Sequence, residues 1–345
     1  MSIKDSILSH INPFRNSKEK NKKMEKNEKL NDENKIIEEE SDKLDNYEDG
    51  ISVIIPTYKG ENHIKPLLES LETQTLNPDK YELIFIINGE LDSTTEILED
   101  FAKKHPQNNI NTTYTPESGA SNARNVGIEL AKKEYVTFLD DDDFISSNYL
   151  EKLLEYSKVN RIVIANFLDY DFETGETKSN MPSSLNKYGT IEEGPVKFIS
   201  IAAVTIGKSI PTYAIKRIRF NTDLTSGEDV SFYASLYNKF DFEFYLIDAK
   251  EEVNYYRIQR NKSVSNQEMS YQFNVLDRLK VMDDLDKDYR IVEDERIKKY
   301  IEMCFRGQTG FTQRYLQKHP EDRDKTLKEV EKHNFKYFPY HLLEE

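Results

Sequence analysis

The feature that most constrains the fold of this chain is an alternation of apolar runs and amphipathic segments in its first half. Ile51–Thr57 and Glu82–Asn88 are continuous apolar runs, which are typical of parallel strands covered on both faces. Helical periodicity follows them, near Glu61–Glu72 and over Ser93–Lys104. Because parallel neighbours need crossover connections, this order predicts an α/β fold with a mostly parallel, Rossmann-like sheet flanked by helices.

The alternation continues until it ends on an acidic cluster. A short strand is predicted at Asn111–Thr115, a helix runs to Ala131, and Tyr135–Asp140 is the next strand. Ligands of such sheets bind beyond the carboxyl ends of the strands. Polar residues follow three of these ends, at Pro56–Tyr58, Asn88–Gly89 and Asp140–Asp143, which predicts a ligand site at this edge.

Composition predicts three regions. Residues 1–49 form a charged tail, residues 50–265 the α/β domain, and residues 266–345 a helical C-terminal region. The tail has too few apolar residues to offset its ordering entropy, so disorder or transient helix is expected. Its apolar positions, followed by lysines, favour contact with an anionic membrane surface, whereas a solubilising tail is the simpler alternative.

Charge and hydropathy exclude two classes of protein. The net charge of −15 and the pI of about 5.1 argue against a nucleic-acid-binding protein, which needs a basic face. No apolar run approaches the roughly 20 residues that span a bilayer. The chain also lacks the continuous apolar region of a secretory signal. The expected location is cytoplasmic, including the inner face of the cell membrane, and the oligomeric state stays open.

The four consecutive aspartates Asp140–Asp143 are the first candidate site. Two carboxylates about 4 Å apart repel by roughly 4 kcal/mol at an intermediate dielectric, so a cation is expected to offset them. If the strand continues, Asp140 and Asp142 share one side and offer oxygens to one Mg²⁺ or Mn²⁺ ion. The alternative is a solvated acidic turn that caps the next helix.

Two further segments carry candidate chemistry. Arg124 lies in the first turns of a helix, where an anion is favoured, so it could contact phosphates or simply pair with an aspartate. Asp229 follows Gly227 and Glu228 at the start of an amphipathic helix. A carboxylate there could accept a proton from an attacking hydroxyl, although an ordinary acidic first turn has the same sequence.

Taken together, five motifs resemble the family 2 inverting glycosyltransferases of GT-A fold. They are IIPTY at 54–58, INGELDSTTEIL at 87–98, GASNARNVGI at 119–128, YVTFLDDDD at 135–143 and FNTDLTSGEDVSF at 220–232. The resemblance implies a hexosyl- or N-acetylhexosaminyl-transferase with a nucleotide-sugar donor, usually a UDP-sugar. It also implies an acceptor that is a glycan, a teichoic-acid-like polymer or a lipid-linked sugar of the cell envelope.

The resemblance also implies residue roles. Asp229 would be the catalytic base, and Asp140 and Asp142 would hold the Mn²⁺ or Mg²⁺ ion. The other donor-binding residues would be Pro56, Thr57 and Tyr58 at the nucleoside, with Asn88, Arg124, Asp140, Asp141, Glu228, Arg257 and Ser263. Relatives often carry an aspartate where Asn88 stands, and an amide accepts a hydrogen bond without the assistance of a charge.

Two alternatives remain at this stage. A nucleotidyltransferase also uses aspartates at strand ends, but it would release pyrophosphate, and a Gly-rich phosphate loop is absent from the sequence. A non-catalytic sugar-nucleotide-binding scaffold is the second alternative. Asn88 favours it, whereas the presence of Asp140, Asp142 and Asp229 argues against it.

Overall fold

The computed structural model describes residues 44–179, 190–259 and 269–344. Of the two units into which the chain divides, Tyr47–Glu345 is the larger. The predicted N-terminal tail therefore lies almost wholly outside the described residues, and so does Ser263. No helix in the described ranges combines the length and apolarity needed to cross a bilayer.

An eight-stranded sheet forms the centre of the larger unit, in the order β3-β2-β1-β4-β10-β6-β11-β9. The strands β3, β2, β1 and β4 are mutually parallel, whereas β10 pairs antiparallel with both of its neighbours. A second sheet has the order β5-β12-β7-β8. The strands are β1 Glu48–Thr57, β2 Tyr81–Asn88, β3 Asn109–Thr115, β4 Lys133–Phe138, β5 Phe144–Ile145, β6 Arg161–Ile164, β7 Asn166–Tyr170, β8 Thr177–Ser179, β9 Thr190–Glu193, β10 Lys208–Pro211, β11 Glu243–Leu246 and β12 Asn254–Ile258.

Helices cover the sheet and form the C-terminal part of the unit. They are α1 Lys65–Glu72, α2 Thr94–Lys104, α3 Ala120–Leu130, α4 Tyr149–Tyr156, α5 Ile199–Ala202, α6 Thr212–Ile215, α7 Glu228–Lys239, α8 Asp277–Ile291, α9 Glu295–Lys318, α10 Arg323–His333 and α11 His341–Glu344. The helices α8 and α9 pack against α7, whose first turn carries Asp229. The predicted α/β fold with a helical C-terminal part is confirmed.

The central strands are apolar because both of their faces are covered. All residues of β2 are buried, and in β1 burial extends from Gly50 to Thr57. Helix α3 packs directly on β1, where a Cβ atom on Gly127 would lie only 2.3 Å from Cγ2 of Ile54. This close approach fixes α3, and with it Arg124, at the carboxyl edge of the sheet.

Two predictions of local structure are wrong. The apolar pattern of residues 162–170 predicts one strand, but the stretch divides at Ala165 into β6 of the first sheet and β7 of the second. The strand predicted to run to Asp140 ends at Phe138. The backbone N–H of Asp143 then donates to the carbonyl of Asp140 over 3.3 Å, so the aspartates form a turn rather than an extended strand.

Candidate active site

The four aspartates of the cluster have different surroundings because the chain turns there. Oδ2 of Asp141 accepts a hydrogen bond from the backbone N–H of Tyr58 over 3.2 Å, and Oδ1 lies 3.2 Å from Nε2 of His63. Burial raises the pKa of the Asp141 carboxyl, and the contact with His63 partly offsets this effect. Asp141 therefore ties the acidic turn to the carboxyl end of β1.

Asp143 is the most enclosed member of the cluster. Its Oδ2 accepts from the Tyr255 hydroxyl over 2.7 Å, and its Oδ1 accepts from the backbone N–H of Ile258 over 2.9 Å. Burial, followed by the negative charges of Asp140 and Asp142, raises the pKa of Asp143 to about 8. Asp143 thus holds strand β12 against the turn.

Arg124 joins the acidic turn to the candidate base motif. Its NH2 group donates to Oδ1 of Asp140 over 3.2 Å, and its NH1 group donates to Oε1 of Glu228 over 3.1 Å. The guanidinium is almost fully buried and lies over the ring of Phe220, 5.5 Å from its centroid. Its Nε–H has no hydrogen-bond partner in the described structure. Motifs that are distant in sequence therefore meet at one side chain.

The turn before α7 presents Asp229. Gly227 adopts a φ of 81°, a left-handed conformation that favours glycine, and helix α7 begins at the next residue. Oδ1 of Asp229 accepts from the backbone N–H of Val230 over 2.8 Å. Burial, followed by the charge of Glu228, raises the pKa of Asp229 to about 7, whereas Arg124 acts to lower it. A carboxylate with this pKa suits a general base near neutral pH.

A pocket of about 690 Å³ opens beside the acidic turn, at the carboxyl ends of β1, β2 and β3. Its walls are Tyr58, Gly89, Glu90, Leu91, Tyr114, Pro116 and Ser118. The rings of Tyr58 and Tyr114 are 46% and 49% exposed, so both offer surface to a planar ligand. Pro56 and Thr57, predicted beside the nucleoside, are buried beneath Tyr58 and are not among the pocket walls.

The side chain of Asn88 connects two backbone segments beside the pocket. Its Nδ2 donates to the carbonyl of Thr57 over 2.9 Å, and its Oδ1 accepts from the backbone N–H of Gly119 over 2.9 Å. The two backbone partners fix the orientation of the amide. Asn88 therefore joins β1 to the start of α3, and each amide group retains capacity for one further hydrogen bond.

Arg257 lies on the second sheet. Its Nε donates to Oδ1 of Asp169 over 2.7 Å, and its guanidinium lies 5.3 Å from the ring centroid of Phe167. The structure does not place Arg257 among the walls of the 690 Å³ pocket. Its predicted role at the donor, like that of Ser263, stays a prediction.

The residues present fit a divalent cation only in part. Within the described ranges, no group of three or more His, Cys, Asp or Glu side chains could hold a metal ion by itself. Mg²⁺ in phosphate-transfer sites commonly uses one or two carboxylates and completes its shell with substrate phosphates and water. In such an arrangement Asp140 and Asp142 would be the protein ligands.

Sequence reasoning missed several residues of this site. Tyr114 on β3 forms a pocket wall but belongs to none of the five motifs, whereas Leu91 and Asn125 lie within motifs without an assigned role. Asn125 exchanges two hydrogen bonds of 2.9 Å with the backbone of Phe220, which fixes the segment leading to the base motif. The spacing of polar residues along α3 is the sequence pattern that could have indicated a role for Asn125.

The acidic turn, the pocket and the sheet order together define a GT-A domain.

Comparison with known proteins agrees with this class. Residues 52–215 match the family described as Glycosyl transferase family 2. The chain is 30% identical to the minor teichoic acid biosynthesis protein GgaB of Bacillus subtilis over 55% of its own length and 21% of that protein. It is 38% identical to poly(ribitol-phosphate) beta-glucosyltransferase of Bacillus spizizenii over 32% of its own length and 18% of that protein. The matches thus span about a fifth of each relative.

A solved structure extends the fold comparison. Residues 1–349 of S. aureus TarS in complex with UDP-GlcNAc superpose with a TM-score of 0.61 and 22% identity, covering 78% of this chain and 73% of that one. Residues 52–215 therefore match a glycosyl transferase family 2 domain, as the motifs predicted, and the likeness to TarS extends to the fold.

Proposed function

We propose that this protein is an inverting glycosyltransferase that moves a sugar from a nucleotide-diphosphate donor to a hydroxyl of a cell-envelope glycan. The observation that carries the proposal is the double contact of Arg124. Two carboxylates, those of Asp140 and Glu228, contact this one guanidinium, and Asp229 follows Glu228 directly in the chain. The names of GgaB and of the poly(ribitol-phosphate) glucosyltransferase support an acceptor of teichoic-acid type.

The donor would lie across the cleft. Its base would contact the exposed rings of Tyr58 and Tyr114, and its diphosphate would extend toward Asp140 and Asp142. The complexes of TarS with UDP and UDP-GlcNAc support UDP-sugars as the first donors to test. A divalent cation bound by the two aspartates would offset the negative charge of the departing diphosphate.

The proposed transfer is a single displacement. Asp229 takes the proton from an acceptor hydroxyl, and the hydroxyl oxygen forms a bond to the anomeric carbon of the donor. The bond between that carbon and the phosphate oxygen breaks on the opposite face, and its electron pair leaves with the nucleoside diphosphate. The anomeric configuration is therefore inverted. Arg124 holds the acidic turn and the base motif at a fixed separation during this step.

The direct test is a donor panel with the purified chain. UDP-glucose, UDP-GlcNAc, UDP-galactose and GDP-mannose are incubated with poly(ribitol phosphate) and poly(glycerol phosphate), with MnCl₂, MgCl₂ or EDTA. Release of the nucleoside diphosphate is followed, and products are identified by mass spectrometry. We expect release from at least one UDP-sugar, dependent on the cation. A folded sample that binds no donor, or one that releases pyrophosphate when it is given UTP and a sugar 1-phosphate instead, contradicts the proposal.

A further inference from the structure

A second pocket lies on the face of the second sheet that points away from the acidic turn. It measures about 580 Å³, within the range of about 300–1,000 Å³ typical of ligand sites. Successive side chains of a strand point to opposite faces. On β12, Asn254 and Tyr256 therefore face the pocket, whereas Tyr255 between them points to Asp143. The pocket and the candidate active site share this strand but occupy its two faces.

Asn166 places an amide that solvent can reach on the wall of this pocket. The residue is only 5% exposed, and the pocket is the space that its side chain borders. Its backbone N–H donates to the carbonyl of Val253, but its amide side chain makes no hydrogen bond to the part of the chain that the structure describes. An amide at a pocket wall with no protein partner can both donate and accept, so this group is suited to a polar ligand that does the same.

Neighbouring polar groups extend the same chemistry. Nδ2 of Asn254 donates to the Tyr256 hydroxyl over 2.9 Å, which leaves the hydroxyl proton of Tyr256 for a ligand. Ser146 and Asn148 hold the wall in place, because the Ser146 hydroxyl donates to Oδ1 of Asn148 over 2.8 Å and accepts from the N–H of Asn254 over 2.9 Å. The pocket thus combines a fixed wall with amide and hydroxyl groups available to solvent.

The ring of Tyr256 lines the pocket, and other aromatic rings pack beside it. Tyr256 stacks on Phe144 with a centroid distance of 4.6 Å, and Tyr170 packs edge-on against Phe144 at 5.0 Å. Phe172 continues this group and is 66% exposed. Rigid aromatic surface beside hydroxyl and amide groups suits a ligand with one apolar face and a rim of hydroxyls, which is the chemistry of a sugar ring.

The charged residues that line the pocket favour uncharged sugars over phosphorylated ones. The charged residues among the described walls are Glu251 and Glu252, both acidic. Glu251 accepts from the Tyr156 hydroxyl and lies 3.7 Å from Nζ of Lys152, so it is engaged by the protein, whereas Glu252 is exposed. The two carboxylates would repel a phosphate group, and none of the described pocket walls is a cationic residue.

We propose that this pocket is a saccharide-binding site for an uncharged sugar unit, separate from the donor cleft. The sugar substituents of an acceptor glycan are the source of such units. This choice of source rests on the proposed transferase function, whereas the binding site itself does not. Because the site lies behind strand β12, a bound segment would hold the polymer to the enzyme without occupying the donor cleft.

The test measures binding of free sugars to the full-length protein saturated with UDP, by saturation-transfer NMR and by titration. Glucose, GlcNAc, galactose, maltose and cellobiose are the neutral probes, and glucose 6-phosphate is the charged one. We expect at least one neutral sugar to bind, and glucose 6-phosphate to bind more weakly than glucose. The loss of one hydrogen bond predicts a roughly two- to tenfold weakening in Tyr256→Phe and in Asn166→Ala.

Asn109→Ala, an exposed asparagine at the start of β3, is the matched control and keeps the parental sugar affinity. Affinity for UDP and the midpoint of thermal unfolding show whether each variant is folded. Tyr256→Phe keeps the ring and therefore tests the site even if Asn166→Ala is unstable. Absence of neutral-sugar binding, equal binding in both variants and the parent, or sugar binding that UDP abolishes would each overturn the proposal. Failure of the donor panel alone would leave the binding result unchanged.

Discussion

Arg278 donates a hydrogen bond from its NH2 group to the backbone carbonyl of Ser226 over 3.3 Å, which connects the C-terminal helices to the turn that presents Asp229. The guanidinium is buried, and its other hydrogen bonds go to the carbonyl of Phe273 and to Oε1 of Gln308. Helix α8 therefore supports the base motif through the cation Arg278. Arg278 forms no direct ion pair with Glu228 or Asp229, but the charges of these two residues act to raise the pKa of Arg278.

We expect Arg278 to be a positioning residue. Arg278→Met keeps an apolar stem but removes the bond to Ser226 and a nearby positive charge, so kcat should fall about ten- to hundredfold as the base motif shifts. The midpoint of the pH–activity profile should rise, because the positive charge no longer favours ionised Asp229. Steady-state kinetics across pH give both readouts, and UDP affinity should stay close to that of the parent.

Arg278→Lys is the conservative comparison. It keeps the charge and should return the midpoint of the pH profile toward the parental value, with only partial recovery of kcat because a lysine lacks the planar donor fork. If both variants lose stability without any shift of the pH profile, Arg278 has only a packing role.

Replacement of the candidate base gives the sharpest kinetic prediction. Asp229→Asn keeps the shape of the side chain but removes the proton acceptor, so we expect kcat to fall by about 10²–10⁴-fold. Donor affinity, measured by titration with UDP, should change little. Glu228→Gln is the comparison, since it lies one residue away and contacts Arg124. Turnover of Asp229→Asn equal to that of the parent would exclude Asp229 as the base.

The raised pKa of Asp229 predicts opposite pH effects on activity and stability. A base must be unprotonated, so kcat/KM should rise with pH and level off above about 7. A carboxyl whose pKa is higher in the folded state stabilises the fold below its unfolded pKa, and this contribution is lost as pH rises through about 7. The charged groups that act on this pKa are Glu228, Arg124 and Lys208, together with Arg278, and Asp229 also interacts with Tyr233, Tyr300 and Cys304.

Denaturant unfolding of the parent and of Asp229→Asn between pH 5 and 8 checks the stability effect. Because asparagine does not titrate, the parent should lose stability relative to the variant across this interval. A kcat/KM profile that is flat from pH 6 to 8, or one whose midpoint persists in Asp229→Asn, would contradict the assignment.

Sequence patterns predicted the parts of this fold that depend on continuous burial. Strands β1, β2 and β4 and helix α3 could be placed because apolar runs and helical periodicity mark them locally. Strand β10 carries no such mark, since its Lys208 and Ser209 are buried by tertiary contacts that the sequence does not show. The break at Ala165 has the same cause, because pairing with two different sheets determines it.

The candidate site was likewise predictable only in part. The motifs indicated which residue types gather at the sheet edge, but not their pairing. Arg124 contacts Asp140 and Glu228 together because of the distance between α3 and α7. No local sequence pattern predicts that distance. Tyr114 enters the pocket only because β3 is the edge strand beside β2.

Substitutions in the acidic turn test the proposed cation. Asp142→Ala and Asp140→Ala should weaken donor binding in MnCl₂ by about tenfold or more and have little effect on the weaker binding in EDTA. Asp140→Ala should also loosen Arg124, which loses one of its two carboxylates. Asp100→Ala, an exposed aspartate on α2, is the control and should bind as the parent does. Titration with UDP-sugars, with and without the cation, measures these effects, and equal weakening in both conditions would contradict a metal role.

One substitution, Gly→Ala, should have opposite effects on stability at two helical positions. At Gly127 the new Cβ would lie 2.3 Å from Cγ2 of Ile54, so α3 must move off β1, at a cost of about 1–3 kcal/mol. At Gly307 on α9 no atom lies within 4 Å of the new Cβ, and alanine should stabilise the helix by about 0.5–1 kcal/mol. Urea unfolding of both variants measures the two free energies. Since α3 carries Arg124, Gly127→Ala should also lower kcat, whereas Gly307→Ala should not, and equal stability changes at the two positions would contradict the close contact of α3 with β1.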